Sequence, residues 1–123
     1  MNTPFLLDPV DLLTGQVLTV SGGATPSVTS DLQPSAMLSK IHVFVKNIGA
    51  STNVTITIYG TPTSPAVMKE TLAIFNLGAT GAGSDFAGRY IEKEAIPRYI
   101  YAVATNSDAT NEANITVSLD RWR

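Results

Sequence analysis

His42 is the only histidine among 123 residues, and cysteine is absent. Those two counts limit the available chemistry. A catalytic histidine needs a nucleophile and an orienting carboxylate close by, and no Gly-x-Ser-x-Gly elbow supplies one. Metal sites built on His and Cys need several such ligands. The carboxylates are few and scattered. Asp8 with Asp11, or Glu92 with Glu94, offers a start toward calcium, but calcium takes about six or more oxygens and neither pair sits in an EF-hand loop. Nothing in the spacing favours two carboxylates meeting as a glycosidase pair. Gly78-Ala79-Thr80-Gly81-Ala82-Gly83 has the glycine content of a phosphate loop without its Gly-Lys-Ser/Thr ending. No catalytic, cofactor or metal site is expected, and the function is sought in surfaces.

The aromatic residues offer more. Tyr99 and Tyr101 fall on one face of a strand about 7 Å apart. With Tyr90 and Trp122 they fit either a stacking platform for a sugar ring or packing in a core or subunit interface. Arg121-Trp122-Arg123 places an indole between two guanidinium groups. Trp and Arg are the types that most often dominate interfaces, although an indole folded back over its own domain rim fits as well.

Bulk properties bound the partners. The net charge is -2, which argues against electrostatic binding to nucleic acid or an anionic membrane. Only 15% of residues are charged, against about 25% in an average domain. The surface must therefore carry Thr, Ser, Asn and Ala, or lie partly under other copies. The opening Met1-Asn2-Thr3-Pro4-Phe5-Leu6-Leu7-Asp8 has no basic segment before its apolar run, so synthesis in the cytoplasm without a signal peptide is expected. Asn53-Val54-Thr55 and Asn114-Ile115-Thr116 match the glycosylation pattern but read as solvent-facing strand starts.

The elements that must position these groups are strands. One pattern occurs twice: Lys46-Asn47-Ile48-Gly49-Ala50 leads into Asn53-Val54-Thr55-Ile56-Thr57-Ile58, and Ala104-Thr105-Asn106-Ser107-Asp108 leads into Asn114-Ile115-Thr116-Val117-Ser118-Leu119. Each time an alternating strand stops at Asn, crosses a polar loop and restarts, which predicts two hairpins. Further strands are expected over Gln16–Val20, Ser39–Lys46 and Arg98–Thr105. Met68–Leu77 fits either a strand or one short helix starting near Ala66, and its bounds at Pro65 and Gly78 favour the strand. Ile41, Val43 and Val45 should face a core with Val54, Ile56 and Ile58. In the Tyr99 strand neither face is polar, so both should be covered. Gly78 to Gly88 reads as a flexible loop, and Glu92-Lys93-Glu94 as an exposed turn. The fold class is all-β: an antiparallel β-sandwich or jelly roll over residues 16–123, with an extended N-terminal arm over 1–15. That arm carries Phe5, Leu6, Leu7, Val10, Leu12 and Leu13. It either lies along its own sheet or reaches onto a neighbour.

Where Tyr99-Ile100-Tyr101-Ala102-Val103-Ala104-Thr105-Asn106 runs into Asn114-Ile115-Thr116-Val117-Ser118-Leu119, the chain resembles the small β-rich virion proteins of tailed phages. Among these it is most similar to capsid decoration, or cement, proteins. The resemblance lies in overall style and brings no signature residue with it. It implies a homo-oligomer, with a trimer favoured, that binds the capsid lattice from outside and locates the chain on the virion surface. Phe5, Leu6, Leu7, Val10, Leu12, Leu13, Tyr99, Tyr101 and Trp122 are the side chains expected to make the contacts. A carbohydrate-binding module and a subunit of an extracellular filament or sheath, built by strand donation from the arm, are the alternatives.

Overall fold

Period-two alternation decides the layers. Ile41, Val43 and Val45 are 0–1% exposed, as are Val54, Ile56 and Ile58 on a second strand and Ile115, Val117 and Leu119 on a third. Residues between them face solvent or the sandwich exterior. Burying each such Val, Ile or Leu contributes about 1.5–3 kcal/mol, so the two apolar faces have to meet.

The computed structural model describes residues 5–20, 25–78 and 85–123. In order, the strands are β1 (Val10–Leu18), β2 (Ser27–Thr29), β3 (Gln33–Pro34), β4 (Lys40–Asn47), β5 (Val54–Thr61), β6 (Glu70–Leu77), β7 (Asp85–Glu92), β8 (Tyr99–Asn106) and β9 (Ala113–Trp122). A short 3₁₀ turn, Lys93–Ala95, follows β7. The strands form two antiparallel sheets, one ordered β1-β9-β4-β7 and the other β2-β8-β5-β6, with β3 also on β8. β2 and β3 are two pieces of one edge. Between them Ser30 stitches the gap, its N–H donating to Ala102 O at 2.8 Å and its Oγ accepting from Ala102 N at 2.8 Å. Counting that edge once, the chain winds as a double-sheet jelly roll, the expected fold class.

The repeated pattern does something other than expected. β4 and β5 lie in different sheets, and so do β8 and β9. The loops 48–53 and 107–112 are corners of the sandwich, not hairpin turns. Antiparallel hairpin pairing of consecutive strands occurs instead between β5 and β6, from Val54↔Leu77 to Gly60↔Glu70 with one register shift between Ile58 and Tyr59.

The glycine-rich stretch is also divided. Positions 79–84 lie outside the described residues, whereas Asp85 to Gly88 open β7 and pair with β4 without a break from Asn47↔Asp85 to Lys40↔Glu92. A strand exposed on most of its length has too little alternation to announce itself. The expected exposed turn is where Glu92 ends β7 and the 3₁₀ turn begins. Met68–Leu77 is largely the strand β6.

The boundary expected between an arm and a domain at residue 15 falls inside β1. Val10–Leu18 pairs with β9, with register shifts between Asp11 and Leu13 and between Leu13 and Gln16. Gly15 takes φ 54° at the second of these, the left-handed region that glycine enters without a Cβ penalty. Ahead of β1, Leu7 N donates to Arg121 O at 2.8 Å, and Phe5 and Arg123 exchange N–H···O bonds of 3.2 and 2.9 Å. Residues 5–7 therefore lie along the end of β9 of their own chain.

Candidate interaction surface

The outer face of the β1-β9-β4-β7 sheet is built in rows by the register. Lys40 stands between Trp122 and Glu92, His42 between Asp120 and Tyr90, Phe44 between Ser118 and Gly88, and Lys46 between Thr116 and Phe86. Strand alternation sends all of these side chains outward, because their neighbours Ile41, Val43 and Val45 fill the core.

Along one diagonal of this face the rings touch. His42 stacks on Tyr90 with centroids 4.0 Å apart and an interplanar angle of 26°. It meets Phe44 edge-on at 4.0 Å and 85°. Tyr90 and Trp122 are 6.4 Å apart. The Lys40 ammonium lies over both of the latter rings, 4.6 Å from the Trp122 centroid and 5.2 Å from that of Tyr90, an arrangement favoured by the ring quadrupole. Gly88 makes room for this packing: a Cβ there would stand 3.1 Å from His42 Nε2.

Beyond Phe44 the surface opens into a shallow groove of about 440 Å³, walled by Phe44 and Phe86 and flanked by Asp11, Lys46, Thr116 and Ser118. Its polar edge is ordered. Ser118 Oγ donates to Asp11 Oδ1 at 2.6 Å, and Thr116 Oγ1 accepts from Gly15 N at 3.0 Å. Phe86 is 79% exposed, Tyr90 54% and Phe44 43%. A row of exposed aromatics on a β-face is what a binding partner covers.

The side chains expected to make contact divide into groups. Phe5 and Leu6 are exposed, and Leu6 bridges to Trp122. Leu7 and Leu12 are half-buried against the core, Val10 is half-buried, and Leu13 is a core residue at 6% exposure. Tyr101 is buried too, stacked on Tyr59 at 5.3 Å on the outer side of the other sheet, with Lys69 over the Tyr59 ring at 4.3 Å. Tyr99 is half-buried on that same strand. Leu13 and Tyr101 are thus withdrawn into the chain itself and present no contact surface. The four-residue aromatic platform is split: Tyr90 and Trp122 share one sheet face, and Tyr99 and Tyr101 belong to the other. The second apolar face of β8 is covered locally by this chain's own Tyr59.

Phe44 and Phe86 belong to this surface as well, although the sequence pattern alone does not single them out. Phe44 was legible as a large apolar residue on the outward parity of its strand. Phe86 was legible only as the one large apolar group in a glycine-rich stretch. Among the described residues, no three His, Asp or Glu side chains gather as metal ligands, and no helix is long and apolar enough to cross a membrane.

No protein-family model matches the sequence, and no curated protein sequence does. Solved structures do match. A chain of infectious bursal disease virus, Gx strain, aligns with a TM-score of 0.64 at 14% identity, over 99% of this chain and 32% of that one. The PBSX exported protein XepA aligns with a TM-score of 0.55 at 13% identity, over 97% and 36%. A chain of the cowpea mosaic virus top component, naturally occurring empty particles, aligns at 0.53 and 9% identity, over 100% and 89%. This chain spans about a third of the bursal disease virus and XepA chains. At these identities the likeness is one of fold, and the fold is a jelly roll shared with proteins of virus particles.

Proposed function

We propose that this chain is a structural protein that works by binding an assembled surface, as a capsid decoration protein that ties shell subunits together on the virion exterior. It does so as a homo-oligomer, for which the trimer is the expected form, and without catalysis. One observation carries the reading: an all-β sandwich fills its core from its own strands, yet leaves Phe44, Phe86 and Tyr90 exposed together on one sheet. The fold likeness to chains of virus particles supports it.

The physics of such a role is mass action. A protein that binds only the assembled shell stabilises it by RT ln(1 + [L]/Kd) per site. Many symmetric copies add avidity although each contact is weak. The contact residues we assign are Phe44, Phe86, Tyr90 and Trp122, with Phe5 and Leu6 beside Trp122.

The carbohydrate-binding alternative keeps Tyr90 and Trp122 on one open face, but the Lys40 ammonium already occupies the approach to both rings. It therefore ranks second. Adding the purified protein to undecorated shells of its own virus should raise their disruption temperature. An unchanged temperature at saturating protein contradicts the proposal.

A further inference from the structure

The edge strand β7 differs from the other sheet edges. It pairs with β4 on one side through eight registered positions without a bulge. At the opposite edge of that sheet β1 is bulged twice. In the second sheet one edge is broken into β2 and β3, and β6 carries a register shift against β5. Bulged and broken edges resist further pairing, whereas a long regular edge is a template for it. Among the described residues, the outer side of β7 has no ladder partner.

We infer that β7 pairs antiparallel with β7 of a second copy of this chain, about a two-fold axis at Ala87. The sequence of the strand, Asp85-Phe86-Ala87-Gly88-Arg89, is self-complementary about that point. Antiparallel pairing on Ala87 sets Asp85 opposite the partner copy's Arg89, and Arg89 opposite its Asp85. Both residues lie on the parity of Ile91, the core-facing one, and Arg89 reaches toward the other sheet with its guanidinium 5.7 Å from the Phe75 centroid. An inward-pointing charge on an edge strand ordinarily deters pairing. Here each copy brings the opposite charge to meet it, so the register that pairs is also specified.

On the outer face the same register sets Phe86 opposite the partner copy's Gly88. Phe86 is 79% exposed. His42 already lies close over Gly88, its Nε2 3.1 Å from where a Cβ would stand, so the partner copy's Phe86 ring would pack against the edge of that His42 ring. Other registers lose the reciprocal Asp85–Arg89 pairs. Pairing about Arg89 opposes two arginines, and like charges directly opposite destabilise a sheet. Pairing about Gly88 leaves Arg89 facing the partner's Ala87. The interface is isologous and closed. It would join two sheets into one and make their aromatic faces continuous.

This inference deepens the oligomer part of the proposed function. A two-fold contact joins pairs of chains whether each chain is single or already in a trimer. Its test needs no shell, so failure here leaves shell binding unaffected.

Sedimentation velocity over a concentration series, with Asp85→Arg, Arg89→Asp and the double exchange, reads the contact. Each single variant should weaken the two-fold association by about tenfold or more, and the double exchange should restore it. Hydrogen exchange on the unaltered chain is the second readout: amides of β7 should slow as concentration rises. The inference is overturned by any one of four results: no concentration-dependent association, association indifferent to the single variants, loss that the double exchange does not repair, or β7 amides exchanging alike at all concentrations.

Discussion

Asn47 and Asn106 end β4 and β8, the two strands that feed the sandwich corners, and Ser51 ties them together. Asn47 Nδ2 donates to Ser51 O at 3.2 Å, and Ser51 Oγ donates to Asn106 Oδ1 at 2.7 Å. All three residues are buried, at 0–2% exposure. Each asparagine also completes its own corner. Asn47 Oδ1 accepts from Gly49 N and Asn114 N at 2.9 and 3.0 Å. Asn106 Nδ2 donates to Leu18 O and Asn111 O at 3.1 and 3.0 Å. The repeated Asn in the sequence marks a shared device for turning the chain from one sheet into the other.

Removing Asn106 should therefore cost more than a surface polar residue. Asn106→Ala leaves the Ser51 hydroxyl and two carbonyls without their buried partner, and each orphaned group costs about 1–3 kcal/mol. We expect a loss of at least about 3 kcal/mol, measured by urea unfolding. Thr57→Ala, on the outward face of β5, should change stability by less than about 0.5 kcal/mol.

The same corner predicts an acid sensitivity. Asp108 accepts from Thr110 N at 2.9 Å and from Thr52 N and Thr52 Oγ1 at 2.8 and 2.9 Å. These N–H and O–H donors, the Thr110 amide foremost, hold its carboxyl well below the usual carboxylate range. A group whose folded pKa is depressed stabilises the fold above its unfolded value, about 3.9, and loses that contribution as pH falls toward the folded one. The melting temperature should thus decline as pH drops below about 4. Asp108→Asn should lower it at neutral pH and flatten that acid limb.

Gly49 tests how tightly the corner is wound. A Cβ at this position would stand 2.7 Å from Glu112 O, 2.8 Å from Asn114 N and 2.9 Å from Ala113 C. All three are backbone atoms that cannot swing aside. Gly49→Ala should destabilise by about 1–3 kcal/mol, as overpacking does. At Gly78 a Cβ would meet, among the described residues, only Thr52 O at 3.5 Å, so Gly78→Ala should leave the urea midpoint close to that of the unaltered chain.

Much of the fold was legible because burial on one face imposes alternation, as in Ile41, Val43, Val45 and in Ile115, Val117, Leu119. The destination of each strand was not. A hairpin and a sandwich corner share the same local signature, strand, polar loop, strand. They differ only in the long-range bonds that Asn47, Ser51 and Asn106 make. Only the end of β1, Gln16–Leu18, was legible; its start was hidden because two bulges scramble the alternation around Leu12, Leu13 and Gly15. β7 was hidden because an edge strand containing Gly88 and exposed residues has no buried stripe. The candidate surface depended on register: His42 was legible as an outward residue, but its stack with Tyr90 follows from the β4–β7 ladder, which a single strand's pattern does not encode.

The central claim is adhesion through the outer face of the β1-β9-β4-β7 sheet. Co-sedimentation with empty capsid shells of the proposed parent virus, comparing the unaltered protein with a Phe44→Ser, Phe86→Ser, Tyr90→Ser variant, tests it most directly. These side chains are 43%, 79% and 54% exposed, so the variant should remain folded, as checked by circular dichroism. The account predicts that the unaltered protein travels with the shells and the folded variant stays at the top of the gradient. Equal recovery of both with the shells, or of neither, contradicts it.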